Sequence, residues 1–139
     1  MRSRSVLVVG LTCLAGACTT VPQYDTRDWR ATLEERGDSN VRANATAASS
    51  PGQTDVSINL AGGQPGATHP WHVHIGTCAD GGGIAGDPGA YPSLRPDPAG
   101  AASAMARLTV QLIPGDDYHV NVHRSPQALG DIIACGDLR

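Results

Sequence analysis

From Trp29 onward the chain alternates between apolar and polar positions. Trp29, Ala31 and Leu33 are spaced by polar residues, then Val41, Ala43, Ala45 and Ala47, then Val56, Ile58 and Leu60. A period of two marks strands with one buried face, and Gly37-Asp38-Ser39-Asn40 and Ser49-Ser50-Pro51-Gly52 separate the three runs as turns. The pattern predicts a three-stranded meander. Local propensity alone would make Asp28 to Arg36 a short helix closed by Gly37, but a strand there finds partners in the next two runs.

His69 to Gly76 reads as a fourth strand, with Trp71, Val73 and Ile75 on its core face and His72 and His74 on the other. Residues 79–101 are dense in Gly and Pro without periodicity, which predicts a loop. A fifth strand carries Ala104, Ala106, Leu108, Val110 and Leu112 inward. Pro114-Gly115-Asp116-Asp117 then turns the chain into Tyr118 to His123, where Tyr118, Val120 and Val122 alternate with His119, Asn121 and His123. A last strand runs from Gly130 to Leu138. Seven short strands without an internal repeat predict an all-β fold, an antiparallel β-sandwich or flattened barrel, over residues 29–139.

Composition narrows the function. The chain has 139 residues, enough for one domain, and its 17 Gly and 10 Pro with only 4% aromatics and no Phe favour turns over long helices. Every basic residue is Arg. Without Lys there is no Schiff-base chemistry and no phosphate-binding P-loop, and no glycine-rich dinucleotide motif occurs, so no nucleotide is expected.

Arg2 and Arg4 precede the apolar run Val6 to Leu14, too short to cross a bilayer, so residues 1–17 read as a signal peptide. Its end, Leu14-Ala15-Gly16-Ala17-Cys18, resembles a bacterial lipobox, with the leucine one place further upstream than is most usual. That resemblance implies a lipid on Cys18, residues 18–28 as a tether, and a lipid-anchored protein of the bacterial cell envelope, on the periplasmic side of the outer membrane. The alternatives are cleavage nearby without a lipid and an uncleaved apolar N-terminus. Loss of residues 1–17 removes two arginines and no acid, which moves the formal net charge from −3 to −5. No nucleic-acid partner is expected at that balance, because phosphate binding needs a basic face and the sequence holds no cluster of Arg. With Cys13 in the signal and Cys18 lipidated, Cys78 and Cys135 remain, and in an exported chain such a pair is expected as a disulfide.

The chemistry gathers in His72-Val73-His74 and in the strand ending at His123. Residues i and i+2 share a strand face about 7 Å apart, so His72 and His74 can converge on one ion, with His123 the best third ligand from a neighbouring strand. His119 lies about 13 Å from His123 along an extended strand, which is too far for one ion to take both. Among ions for three neutral imidazoles copper is favoured, since Cu(II) heads the divalent affinity order and Cu(I) accepts three nitrogens. A His₃ zinc site with an activated water is the alternative, although no nearby carboxylate reads as its general base.

His69-Pro70-Trp71-His72-Val73-His74-Ile75-Gly76-Thr77-Cys78 resembles the H-G-F-H-x-H segment and following Cys of copper/zinc superoxide dismutases, and Ile133-Ala134-Cys135-Gly136 resembles their terminal L-A-C-G. Tyr118 to His123 with Gly130-Asp131-Ile132 is also similar to the chordin-type CHRD domain. The first resemblance implies a Greek-key sandwich, His72, His74 and His123 as copper ligands, a Cys78–Cys135 disulfide, and His69 as a structural histidine. Two departures stand out. The loop after Cys78 has no histidine, only Asp80, Asp87 and Asp97, so one copper and no zinc is expected. The arginine that guides superoxide in the family is replaced by Ile132, while Arg124 should point away and Arg95 could reach the site only if the loop folds over it. The expectation is therefore a copper-binding lipoprotein, with a copper-only superoxide dismutase as the enzymatic alternative and a metal-free CHRD-like structural or adhesion domain as the third.

Overall fold

The computed structural model describes residues 27–139. The signal peptide, Cys18 and the tether up to residue 26 lie outside these residues. Seven strands follow one another, β1 (Arg27–Glu35), β2 (Arg42–Ser50), β3 (Gln53–Ala61), β4 (Trp71–Ile75), β5 (Ala102–Leu108), β6 (Tyr118–His123) and β7 (Ile132–Leu138), with a single 3-10 turn at Pro88–Ala90. β1 starts two residues before the expected strand. Arg27 lies over the Trp29 ring, 5.3 Å from its centroid, so both tether-end residues are part of the sheet.

All pairings are antiparallel, in the order β4-β6-β7-β1-β2-β3-β5. β1 joins the two halves: Arg27 to Leu33 pair with β2, whereas Glu34 and Glu35 pair with β7. The sheet curls into a half-barrel with its alternating apolar face inside, consistent with the expected sandwich or flattened barrel. Inside lie Trp29, Leu33, Val56, Ile58, Leu60, Leu108, Trp71, Val73, Val120, Val122 and Ile133, all buried. β2 contributes only small residues, Ala43, Ala45, Ala47 and Ser49, to that face, so the two tryptophans supply bulk that a chain without Phe lacks elsewhere. Truncation of fully buried Trp71 to Ala would cost about 3–5 kcal/mol.

Two expectations need correction. β5 stops at Leu108, and Val110 is only half-buried. Leu112 still reaches the core, but from a loop whose backbone N–H is held by the Ser49 hydroxyl at 2.9 Å. Ile75 is 55% exposed instead of buried, because β4 ends there and Gly76 turns away to donate its N–H to the Asp117 carbonyl.

The loop of residues 79–101 is aperiodic yet tightly packed. Ala85, Tyr91 and Leu94 are buried in it, and Leu94 exchanges both backbone hydrogen bonds with His69. Ala85 and Gly83 pair with the backbone of Val73 and Ile75, which covers the free edge of β4. Cys78 and Cys135 form a disulfide with Cα atoms 6.1 Å apart, tying the start of this loop to β7. Closing a loop of that size stabilises a fold by roughly 4 kcal/mol in the chain-entropy model.

Candidate metal centre

β4 and β6 are neighbours, and their register places His72 opposite Asn121 and His74 opposite His119. The face of β4 that carries the histidines therefore meets the face of β6 that carries His119, Asn121 and His123. His72, His74 and His123 each bring one ring nitrogen within 4.8 Å of the others, which makes them a group able to hold a metal ion. Two imidazole nitrogens sharing one ion at the usual metal–imidazole distance would stand at most about 4 Å apart, so His72, His74 and His123 would need only a slight closure to hold one.

Hydrogen bonds select the nitrogens. Nδ1 of His74 donates to the Gly82 carbonyl at 2.9 Å, which leaves Nε2 as a lone pair that is buried and has no partner. Nδ1 of His72 faces Nε2 of His123 at 3.2 Å. The other nitrogen of His123 is also buried without a partner; the backbone of Leu129 lies near it but is not placed to hydrogen-bond well. Buried polar atoms left unpaired are costly, so the orphaned Nε2 of His74, which lies in the cluster, marks the place where a ligand would supply the missing partner.

The rings are kept neutral. Burial, and then the neighbouring His123 and His74, push His72 down to about 4. Burial also lowers His74, with the Gly82 carbonyl opposing and His119 assisting, and it lowers His123 with help from His74. Lone pairs are thus free for coordination throughout the neutral range.

This face is not solvated, as an outward-pointing face would be. His72 and His123 are buried, and the 79–101 loop lies against His72 through Tyr91. Tyr91 from that loop packs edge-on against both His72 and Trp71, at 5.2 Å from each, and donates its hydroxyl to the Ala85 carbonyl at 2.7 Å. Burial raises the Tyr91 phenol to about 12, so it stays protonated beside the cluster.

Comparison with known proteins adds no identity. No family model matches the chain, and no curated protein is significantly similar to it. The centre is therefore understood from its own residues.

His69 sits behind the cluster. Its Nδ1 donates to the carbonyls of Arg124 and His123, at 2.9 and 3.2 Å, so it anchors the backbone that carries His123. Asp80, Asp87 and Asp97 each cap their own turns: Asp80 accepts from Thr77, Asp87 from the Gly89 N–H, and Asp97 from the Ala99 and Ala101 N–H groups. Arg124 is paired with Asp131 on the exposed side, and Arg95 donates to Thr68. Ile132 pairs with His123 across the β6–β7 bulge and is partly exposed. Asp116 and Asp117 are exposed in their turn.

His119 is not one of the three grouped histidines, as its spacing from His123 along β6 implied, yet it touches one of them. It is 1% exposed and stacks on the His74 ring, with centroids 5.1 Å apart and planes at 18°. The contact with His74 is made across the pair of strands, which spacing along β6 does not register. Tyr91, Gly82 and Asn121 carried no signal in the chain, because the first two lie in an aperiodic loop and the third matters only through its register.

Proposed function

We propose that this protein is an exported, lipid-anchored copper-binding protein of superoxide dismutase-like fold, holding one copper ion through His72, His74 and His123 at the periplasmic face of the bacterial outer membrane. The observation that carries the reading is the orphaned, buried Nε2 of His74 beside two further imidazole nitrogens whose protonation burial disfavours. Three neutral nitrogens without a carboxylate suit copper in either oxidation state. The lipobox-like Cys18 and the cysteine pair support export.

Copper bound there would supply one-electron redox chemistry. The chain's own part is to hold three nitrogens in place, with Gly82 fixing the His74 tautomer, His69 anchoring the backbone at His123, and Tyr91 keeping water from the His72 side. Dismutation of superoxide is the second reading, favoured by the half-buried His74, which leaves one side of the centre reachable. Capture or delivery of copper ranks above it, because the side chain opposite His123 is Ile132 and the nearby Arg124 is tied to Asp131, so neither position offers an incoming anion a free positive charge. Metal analysis of protein recovered from the envelope, followed by a dismutase assay on the copper-loaded form, separates these readings. Copper without turnover supports capture, turnover supports the enzyme, and absence of metal leaves the structural CHRD-like alternative.

A further inference from the structure

We infer that His119 is a positioning residue: its ring, locked at both nitrogens, is the platform that sets the plane of the His74 imidazole. The inference rests on the reading of His72, His74 and His123 as a metal centre. His74 has one hydrogen bond, from Nδ1 to Gly82, and a single bond of this kind leaves a ring free to swing about it. The stacked His119 ring removes that freedom by covering one face of His74.

His119 is itself held at two points. Nδ1 donates to the Gly76 carbonyl at 2.7 Å, so Nε2 must be an acceptor, and it receives the Asn121 side-chain amide at 3.3 Å. Both nitrogens are occupied, which excludes His119 from coordination although it lies against a ligand. The two carbonyls that hold this pair of rings come from positions only glycine fits. Gly76 has φ +89° and a β-carbon on it would sit 2.6 Å from the Gly81 oxygen, while Gly82 has φ +155° and a β-carbon would sit 2.0 Å from the Ile75 oxygen. The turn between them thus aims one carbonyl at His119 and the other at His74. Partners of this outer layer orient the ligands they touch, and their loss typically weakens metal affinity by about 10- to 100-fold.

The test separates the stack from the hydrogen bonds. His119→Phe keeps an aromatic face and loses both hydrogen bonds, whereas His119→Gln keeps a donor for Gly76 and loses the ring; His119→Ala serves alongside the Gln variant in case that one fails to fold. The first readout needs no metal: the ¹⁵N-edited spectrum of the His74 ring in the apo protein. The wild type and the Phe variant should show one ordered Nδ1–H tautomer, and the Gln and Ala variants exchange-broadened or mixed signals. The second is Cu(I) affinity by competition with a chromogenic chelator, expected to be retained in the Phe variant and about 10- to 100-fold weaker in the Gln and Ala variants. Wild-type His74 signals in folded Gln or Ala variants overturn the inference, as does a Phe variant as impaired as they are. A wild type that takes no copper defeats the metal reading instead, and the apo spectra still decide the role of His119.

Discussion

Nδ1 of His72 lies 3.2 Å from Nε2 of His123, although the two residues belong to different strands and are 51 positions apart. Two nitrogens at that separation, each at a metal–imidazole distance near 2.0–2.1 Å, subtend an angle of about 100° at a shared ion. Without an ion, one proton must lie between them to avoid two facing lone pairs. The contact is therefore either a ring-to-ring hydrogen bond or two arms of one coordination site, and the orphaned Nε2 of His74 beside it favours the second.

Loss of any one ligand should be far worse than loss of an outer partner. His72→Ala, His74→Ala and His123→Ala are each expected to weaken Cu(I) binding by more than about 100-fold, beyond the range for second-layer positions. Competition titration against a chelator of known affinity measures this, with near-ultraviolet circular dichroism to confirm that each apo variant is folded.

Acid should destabilise the apo protein well above the carboxylate range. His72, His74 and His123 have folded values below the ordinary histidine value of 6.5, His72 at about 4. Above pH 6.5 both folded and unfolded chains hold these rings neutral, and stability is flat. As pH falls from 6.5 towards 4 the unfolded chain takes up protons that the fold refuses, so stability declines by up to about 1.4 kcal/mol per pH unit for each histidine involved. Urea unfolding between pH 4 and 8 should show that slope, and it should shrink in His72→Ala.

The strand pattern was legible where each strand has one wet and one dry face. β1, β2 and β3 alternate strictly, and so their order, their turns and the core residues Leu33, Ile58 and Leu60 followed from period two. The group of His72, His74 and His123 was legible too, because an H-x-H pair and a third histidine on another strand are a chemical signal as well as a geometric one. The roles of Tyr91 and His119 were not. All of β6 is buried, so its outward face looks polar in sequence but is dry in the fold, where His119 and His123 pack against the β4 histidines. Register across strands, which puts His119 on His74, is invisible to spacing along a single strand.

The staple at the base of that loop should govern its stability. Cys78→Ser with Cys135→Ser removes a bridge across 57 residues and is expected to cost about 2–5 kcal/mol in chemical unfolding. An unchanged midpoint would mean that packing of Tyr91 and Leu94 alone holds the loop.

The address is tested independently of the metal. Cys18→Ser should move the protein from the membrane to the soluble envelope fraction and abolish palmitate labelling. Continued membrane association without label would point to an uncleaved N-terminus.

The most direct test of the metal centre is the copper stoichiometry of the purified protein, measured by elemental analysis after loading and desalting, in the wild type and in the three single-histidine variants. One copper per chain in the wild type and substoichiometric, weakly held copper in His72→Ala, His74→Ala and His123→Ala is the predicted result. Equal stoichiometry and affinity in all four proteins would contradict it.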